Sequence, residues 1–143
     1  MVSMVVRLTQ ARVTHLYLGY CNSLQNLDGL TNCTKLTELY LSGCNSLQNL
    51  DFLAKWTKLT KLILGYCESL QNVDGLANCT KLTELGLGSC DSLQNVDGLA
   101  NCTKLANLDL SGSRGVKPKP SPVEMTTRKQ VAAYQERIKK AMQ

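Results

Sequence analysis

The residues most able to carry chemistry in this 143-residue chain are seven cysteines, which could bind a metal ion or pair as disulfides. Their number is odd, consecutive cysteines are 11, 12 or 23 residues apart, and no C-x-x-C pair occurs. A structural zinc site needs four ligands that converge on one point, whereas cysteines repeated every 23 residues are expected to form a line. We therefore predict no metal site, no cofactor and no disulfide framework. Two sets recur in the chain: Cys21, Cys44, Cys67 and Cys90; Cys33, Cys79 and Cys102.

Acid–base and nucleophilic catalysis find little support in the sequence. His15 is the only histidine, and no serine or cysteine has a base at a spacing typical of an activated nucleophile. There is no glycine-rich phosphate loop, and residues 117–143 are too few to form a catalytic domain. We predict that the chain is not an enzyme and has no small-molecule substrate.

The positive charge is concentrated at one end of the chain. Residues 1–116 contain nine basic and nine acidic side chains, whereas residues 117–143 contain seven basic and two acidic ones, which accounts for the net charge of +5. The first ten residues, MVSMVVRLTQ, lack the basic start of a secretory signal. No apolar run approaches the roughly 20 residues of a membrane helix. With unpaired thiols, these features predict a cytoplasmic protein.

Leucines repeat through the chain with a period of 23 residues, which is the sequence signature of a solenoid. Within one unit the pattern is L-x-x-L-x-L-x-x-C-x-x-L, and the L-x-L step predicts a short strand with its leucines inward. Coils entered from the same side stack their strands into a parallel sheet. The segment after each strand has room for turns or a short 3₁₀ piece. The two strand columns are Leu16, Leu39, Leu62, Leu85 and Leu108, and Leu18, Leu41, Leu64, Leu87 and Leu110.

This pattern resembles that of the leucine-rich repeat proteins over residues 13–116, with about four full coils and a fifth strand. The variable half of the unit, such as VDGLANCTKL at residues 96–105, is similar to the short coils of the internalin-like class. Cysteine stands where that class usually has asparagine, as in the cysteine-containing variants of the family. No surface-anchor motif is visible, so the cell-surface role of internalins is not carried over. The resemblance implies an α/β solenoid with a parallel sheet on its concave face and turns or 3₁₀ segments on its convex face.

The cysteines are predicted to be small buried fillers at tight bends, where a weak S–H donor can meet a backbone carbonyl. All seven should therefore react slowly in the folded protein. One coil departs from the others, because Trp56 replaces a column cysteine and Phe52 replaces a glycine. Two interpretations are open for this pair: a local repacking of the core, or an exposed aromatic ridge on the convex side.

The variable positions point to a candidate binding surface. Residues 67–89 and 90–112 are identical at 17 of 23 positions, and five of the six differences lie in or just after the strand at non-leucine positions. The resemblance places these positions on the concave face, although drift at exposed positions also explains such variation. Tyrosine suits a binding site because it combines a rigid apolar body with a polar tip. The predicted partner-binding residues are His15, Tyr17, Tyr20, Glu38, Tyr40, Lys61, Ile63, Tyr66, Glu84, Asn107 and Asp109.

Both ends of a solenoid expose leucines and need caps. Residues 1–12 are interpreted as an N-terminal cap or degenerate half repeat, and the Pro- and Lys-rich residues 117–122 as a linker. Residues 123–143 are predicted to contain a basic amphipathic helix, with an apolar line of Val131, Tyr134, Ile138 and Ala141. Three uses remain open for this helix: a C-terminal cap, a partner or self-association helix, or a contact with nucleic acid or a membrane.

The sequence therefore predicts a monomeric protein–protein interaction module that binds through the concave face of a solenoid. The alternative is a structural or scaffold repeat protein, natural or consensus-like, without an evolved partner. The identity between neighbouring coils is compatible with both.

Overall fold

The computed structural model describes residues 12–30 and 32–143, and so the predicted N-terminal cap lies outside the described residues except for Arg12. Each coil contributes one three-residue strand, and each of the first four strands is followed by a 3₁₀ turn. The strands are β1 (His15–Tyr17), β2 (Glu38–Tyr40), β3 (Lys61–Ile63), β4 (Glu84–Gly86), β5 (Asn107–Asp109) and β6 (Glu124–Met125). The 3₁₀ turns are Asp28–Leu30, Asp51–Lys55, Asp74–Asn78 and Asp97–Asn101, and one helix, α1, spans Arg128–Ala141.

The strands form one sheet in the order β1-β2-β3-β4-β5-β6. From β1 to β5 the pairing is parallel and each residue lies beside the residue 23 positions later, as Leu39 does beside Leu62. The central residue of β2, β3, β4 and β5 is a buried leucine, and its two neighbours point to the solvent side. This confirms the predicted solenoid with its parallel sheet and isolated 3₁₀ turns.

Asparagine side chains begin the 3₁₀ turns. The Oδ1 atom of Asn72 accepts a hydrogen bond of 3.1 Å from the backbone N–H of Asp74, and Asn26, Asn49 and Asn95 make the equivalent bond in their own coils. Such local side-chain bonds favour a turn over a continued strand. The turn then carries a leucine, such as Leu76, back into the core.

The first cysteine column ties neighbouring coils together. The Sγ atoms of Cys44, Cys67 and Cys90 each lie 3.2 Å from a backbone carbonyl oxygen 26 residues earlier, in the preceding coil. A thiol is small enough for this bend and still offers a weak donor to a buried carbonyl. Ser113 continues the column, since its hydroxyl donates to the Leu87 carbonyl at 2.5 Å and accepts from the N–H of Cys90 at 2.9 Å.

Cys21 departs from the prediction that every cysteine is buried. It is exposed, and its Sγ lies 3.8 Å from the Gly19 carbonyl of its own coil. The other six cysteines are buried. The prediction of a buried filler is therefore wrong for Cys21, and we expect this exposed thiol to react faster than the six buried ones.

The aromatic pair of the second coil is a repacking of the core and not an exposed ridge. Trp56 is 2% exposed, and Phe52 packs partly buried against the core. The two rings meet edge to face with centroids 5.9 Å apart. Such an arrangement of aromatic rings is favourable beyond the area that it buries.

The C-terminal segment, residues 123–143, contains a strand before its helix, and the helix starts next to Thr126 and Thr127, where the run of helix formers in the sequence begins. The first part forms β6, which pairs antiparallel with β5, and α1 begins at Arg128. Thr127 caps the helix and exchanges hydrogen bonds with Gln130 in a capping box. The edge of β5 that faces away from β4 would otherwise lack backbone partners, and β6 pairs with this edge and ends the sheet.

The buried side of α1 also differs from the predicted apolar line. Val131, Tyr134 and Ile138 are buried as expected, but Ala141 is exposed at the end of the helix and Gln135 is buried in its place. The Gln135 Nε2 donates at 2.8 Å to the carbonyls of both Leu99 and Cys102. An apolar side chain could not satisfy these carbonyls, which explains the glutamine.

Candidate functional site

The predicted binding residues lie on the solvent side of β1–β5, which we call the sheet face, and on the loop directly after these strands. The parallel register aligns the first and third positions of each strand in two columns across the sheet. The first column is His15, Glu38, Lys61, Glu84 and Asn107, and the second is Tyr17, Tyr40, Ile63, Gly86 and Asp109. The structure thus brings these predicted residues together in space.

An aromatic stack covers the first two strands. The rings of Tyr17 and Tyr40 are nearly parallel, with centroids 4.5 Å apart and planes inclined by 13°. The Tyr40 hydroxyl donates a hydrogen bond of 2.7 Å to Oε2 of Glu38, and Nε2 of His15 lies 3.3 Å from the other carboxylate oxygen. The bond from Tyr40 lowers the pKa of Glu38 and raises that of Tyr40 itself. The stack is therefore held in a defined position by its neighbours.

Charged residues extend this cluster to the next two strands. Lys61 Nζ lies 3.2 Å from Oε1 of Glu84 and 5.6 Å from the centroid of the Tyr40 ring. The hydrogen bond to Glu84 raises the pKa of the Lys61 ammonium group. Because these groups are solvent-exposed or half-buried, the ion pair adds little to stability. Its main effect is to fix which way the charged groups point.

A third column follows the strands, three residues after each strand ends, and has a left-handed backbone. Its φ values are 60° at Tyr20, 73° at Gly43, 61° at Tyr66, 55° at Ser89 and 75° at Gly112. Glycine adopts this conformation without cost, whereas a residue with a β-carbon is strained in it. The two tyrosines are nevertheless strongly exposed, Tyr20 at 75% and Tyr66 at 61%. We call these five positions the left-handed column.

An open groove of about 630 Å³ lies beside the aromatic cluster, over β3 to β6. Glycine backbone forms much of its floor, at Gly65, Gly86 and Gly88, and Tyr66 and Ile63 stand at its sides. Glu84, Asn107 and Asp109, all predicted as binding residues, line it as well. We call this feature the glycine groove.

Sequence reasoning missed two parts of this groove. Glu124 of β6 lines its far end, and no repeat exists against which that residue could be compared. The sequence does align Tyr20, Gly43, Tyr66, Ser89 and Gly112 in one column, but the left-handed backbone of that column was not predicted, although Gly43 and Gly112 were a usable signal.

The part of the chain that the structure describes contains neither a metal-binding cluster nor a membrane-spanning helix. There, no three His, Cys, Asp or Glu side chains come close enough to hold a metal ion. The helix within those ranges is neither long nor apolar enough to cross a bilayer.

Part of the chain is similar to known repeat proteins. The family model described as Leucine Rich repeats (2 copies) matches residues 11–55, and no curated protein matched the chain. An internalin from Listeria monocytogenes is similar in structure at 18% identity and a TM-score of 0.42, covering 76% of this chain and 42% of its own. A leucine-rich repeat protein from Leptospira interrogans has 17% identity and a TM-score of 0.44, covering 82% and 39%. This chain thus spans about two fifths of either structure. The family match covers residues 11–55 as leucine-rich repeats, and the 23-residue period of the sequence continues beyond it to residue 116.

Proposed function

We propose that the chain binds another protein through its sheet face, which in this fold is the concave side, and that binding centres on the tyrosines. The observation that carries the proposal is the exposure of Tyr20 and Tyr66 at left-handed positions. A non-glycine residue in that conformation costs of order 1–3 kcal/mol. The scaffold gains little in return from side chains that are mostly exposed. We therefore attribute Tyr20 and Tyr66 to partner binding and not to the stability of the fold.

The aromatic stack supports the same surface. Tyr17 is 66% exposed although its ring lies on Tyr40. Tyr40 is in turn anchored by Glu38 and approached by Lys61. Rigid aromatic side chains lose little conformational entropy when a partner covers them. The cluster therefore has the properties of a binding hot spot.

The competing proposal, a scaffold repeat without a partner, is favoured by the near-identity of neighbouring coils. A repeat selected only for folding would carry glycine throughout the left-handed column, as at Gly43 and Gly112, or at most a small residue such as Ser89. The two tyrosines are therefore the feature that separates the two proposals. Binding is also the activity that needs no catalytic group.

Two further assignments belong to this proposal. The six buried thiols suit a reducing compartment, and we place the chain in the cytoplasm. The helix α1 is proposed as the C-terminal cap of a monomer, supported by the hydrogen bonds from Gln135 to the last coil. Lys129, Arg137, Lys139 and Lys140 remain exposed on its outer side, so a contact with nucleic acid or a membrane is the rival use of this helix.

The test is a selection of binders from a displayed library of protein fragments, followed by affinity measurements with variants of the full chain. Each of the variants Tyr40→Ala and Tyr66→Gly should weaken the binding free energy of the selected binders by about 1–3 kcal/mol, which raises Kd roughly tenfold or more. Lys58→Ala and Lys104→Ala are the controls, because both lysines are exposed away from the sheet face and should leave Kd unchanged. Binders that depend on the two lysines and tolerate both tyrosine changes would refute the proposal.

A further inference from the structure

The glycine groove owes its existence to missing side chains. In the second column of the sheet face, Tyr17, Tyr40 and Ile63 are followed by Gly86, so the side chains that cover the sheet end at β3 and the surface is lower over β4. A β-carbon built on Gly86 would lie 3.2 Å from Cδ1 of Ile63, which shows that the isoleucine leans over the vacated space. The groove is thus bounded by Ile63 on one side and closed by β6 on the other.

The dimensions of the groove suit an extended chain. It crosses the sheet from β3 to β6, which is about 15 Å at the usual spacing between neighbouring strands. At about 3.3 Å per residue, that length accommodates four or five residues of an extended segment. The glycine floor lets the backbone of such a segment approach the sheet closely.

The charged side chains that line the groove are all acidic. Its lining contains Glu84, Asp109 and Glu124, and no lysine, arginine or histidine lines it among the residues that the structure describes. Glu84 is paired with Lys61 at its outer side. Asp109 accepts the hydrogen bonds of Ser111 on Oδ1, at 2.8 Å and 2.5 Å. Its Oδ2 instead points over the floor, 3.1 Å from where a β-carbon of Gly88 would be.

The exposed tyrosine rings beside the groove favour a cationic ligand, as the acidic side chains do. Tyr20 and Tyr66 both line it, and their hydroxyphenyl groups are accessible. The face of a tyrosine ring attracts an ammonium or guanidinium group. Carboxylates and aromatic faces together recognise a cation and repel phosphate groups and acidic segments.

From this geometry we propose that the glycine groove binds an extended segment of the partner protein that carries arginine or lysine. The cationic side chain lies between the Asp109 and Glu124 carboxylates and the ring of Tyr66. The segment's backbone passes over Gly86 and Gly88. This inference rests on the proposed function and adds to it the chemical class of the partner.

The test uses a displayed library of random 12-residue peptides selected on the full chain. The selected peptides should be enriched in arginine and lysine. Their Kd should rise at least tenfold with the double variant Asp109→Asn/Glu124→Gln, which keeps the shape of the groove and removes two charges. The matched control is Asp51→Asn/Glu68→Gln, which removes the same two kinds of charge from exposed positions outside the groove and should leave Kd within twofold.

A second variant fills the groove without weakening the fold. Gly86→Val adds a side chain against the flexible end of Ile63, and valine suits a strand better than glycine does. It should abolish peptide binding while the urea midpoint of unfolding stays equal or rises. If Gly86→Val lowers both binding and the midpoint, the loss of binding could come from a weakened fold. The variant Asp109→Asn/Glu124→Gln then decides, because it leaves the packing unchanged, and peptides that still bind it would refute the inference.

The outcomes separate this inference from the proposed function. One outcome is a set of peptides that is not enriched in basic residues and that loses affinity with Tyr40→Ala but not with Asp109→Asn/Glu124→Gln. This outcome would support the sheet face as the binding site and refute the inference that the groove binds a basic segment. Failure to enrich any peptide would also overturn it. Peptides that tolerate every sheet-face variant would overturn both.

Discussion

The ring of Tyr20 lies directly over the backbone of Gly43, in the neighbouring coil of the left-handed column. A β-carbon added to Gly43 would be 2.5 Å from Cδ1 of Tyr20, closer than carbon atoms can approach. One exposed tyrosine therefore depends on the absence of a side chain at the next position of the column. This relationship links a proposed binding residue to the scaffold.

We predict that Gly43→Ala destabilises the protein by about 1–3 kcal/mol, because it combines a strained φ of 73° with the contact to Tyr20. In the background of Tyr20→Gly the same substitution should cost less, because only the backbone strain remains. Urea denaturation of the two single variants and the double variant measures the coupling. Strict additivity would show that the Tyr20 ring moves away freely.

Tyr66→Gly should leave the free energy of unfolding unchanged or raise it by about 1 kcal/mol, because glycine removes the strain of a left-handed φ of 61°. Tyr66→Ala removes the same ring but keeps a β-carbon, so it should be less stable than Tyr66→Gly by about 1 kcal/mol. Denaturant titration of both variants gives the difference. If alanine proved the more stable of the two, the left-handed conformation at this position would be wrong.

Leu64→Ala should cost about 2–5 kcal/mol, because this side chain is fully buried between neighbouring coils. Lys58→Ala, in the same coil but exposed, should change stability by less than about 0.5 kcal/mol. Chemical denaturation distinguishes them. A Leu64→Ala variant as stable as the lysine control would contradict the proposed packing of the coil.

Stability should fall steeply above pH 9. Burial raises the pKa of Cys67 and Cys102 from 9.0 to about 12, and that of Cys79 and Cys90 to about 11. Between pH 9 and 11 the unfolded chain loses these protons and the folded chain keeps them, so the contribution present below pH 9 is lost as pH rises. Each thiol should remove at most about 1.4 kcal/mol per pH unit, a slope reached only between its unfolded and folded pKa values.

Urea unfolding at pH 7.5, 9, 9.5 and 10 measures this slope. The double variant Cys79→Ala/Cys102→Ala should show about half of the wild-type thiol contribution, because two of the four strongly shifted thiols are gone. A wild-type stability that stays level up to pH 10 would mean that the thiols do not retain their protons in the folded state.

Gln135→Met should cost about 1–3 kcal/mol although it preserves side-chain volume, because the carbonyls of Leu99 and Cys102 each lose a buried donor. Gln94→Met, at an exposed position, is the control and should be nearly neutral. Thermal unfolding of the two variants gives the comparison. Equal midpoints would mean that water replaces the glutamine at these carbonyls.

Much of the solenoid could be predicted because the information is repeated. A 23-residue period places equivalent residues in the same environment of successive coils, so the columns from His15 to Asn107 and from Tyr17 to Asp109 follow from the spacing alone. Ser113 also falls in phase with Cys90, and its role in the cysteine column could have been read from the same period.

The tertiary structure alone decided what lies beyond the period. β6 and the burial of Gln135 depend on contacts between the C-terminal segment and the last coil, for which the sequence offers no equivalent coil to compare. The glycine groove likewise forms only when Gly86, Asp109 and Glu124 come from three neighbouring strands to one side of the sheet. Periodicity determines which residues are equivalent. The shape of a surface depends on side chains that are present or missing on different coils, and on how the chain closes its own end.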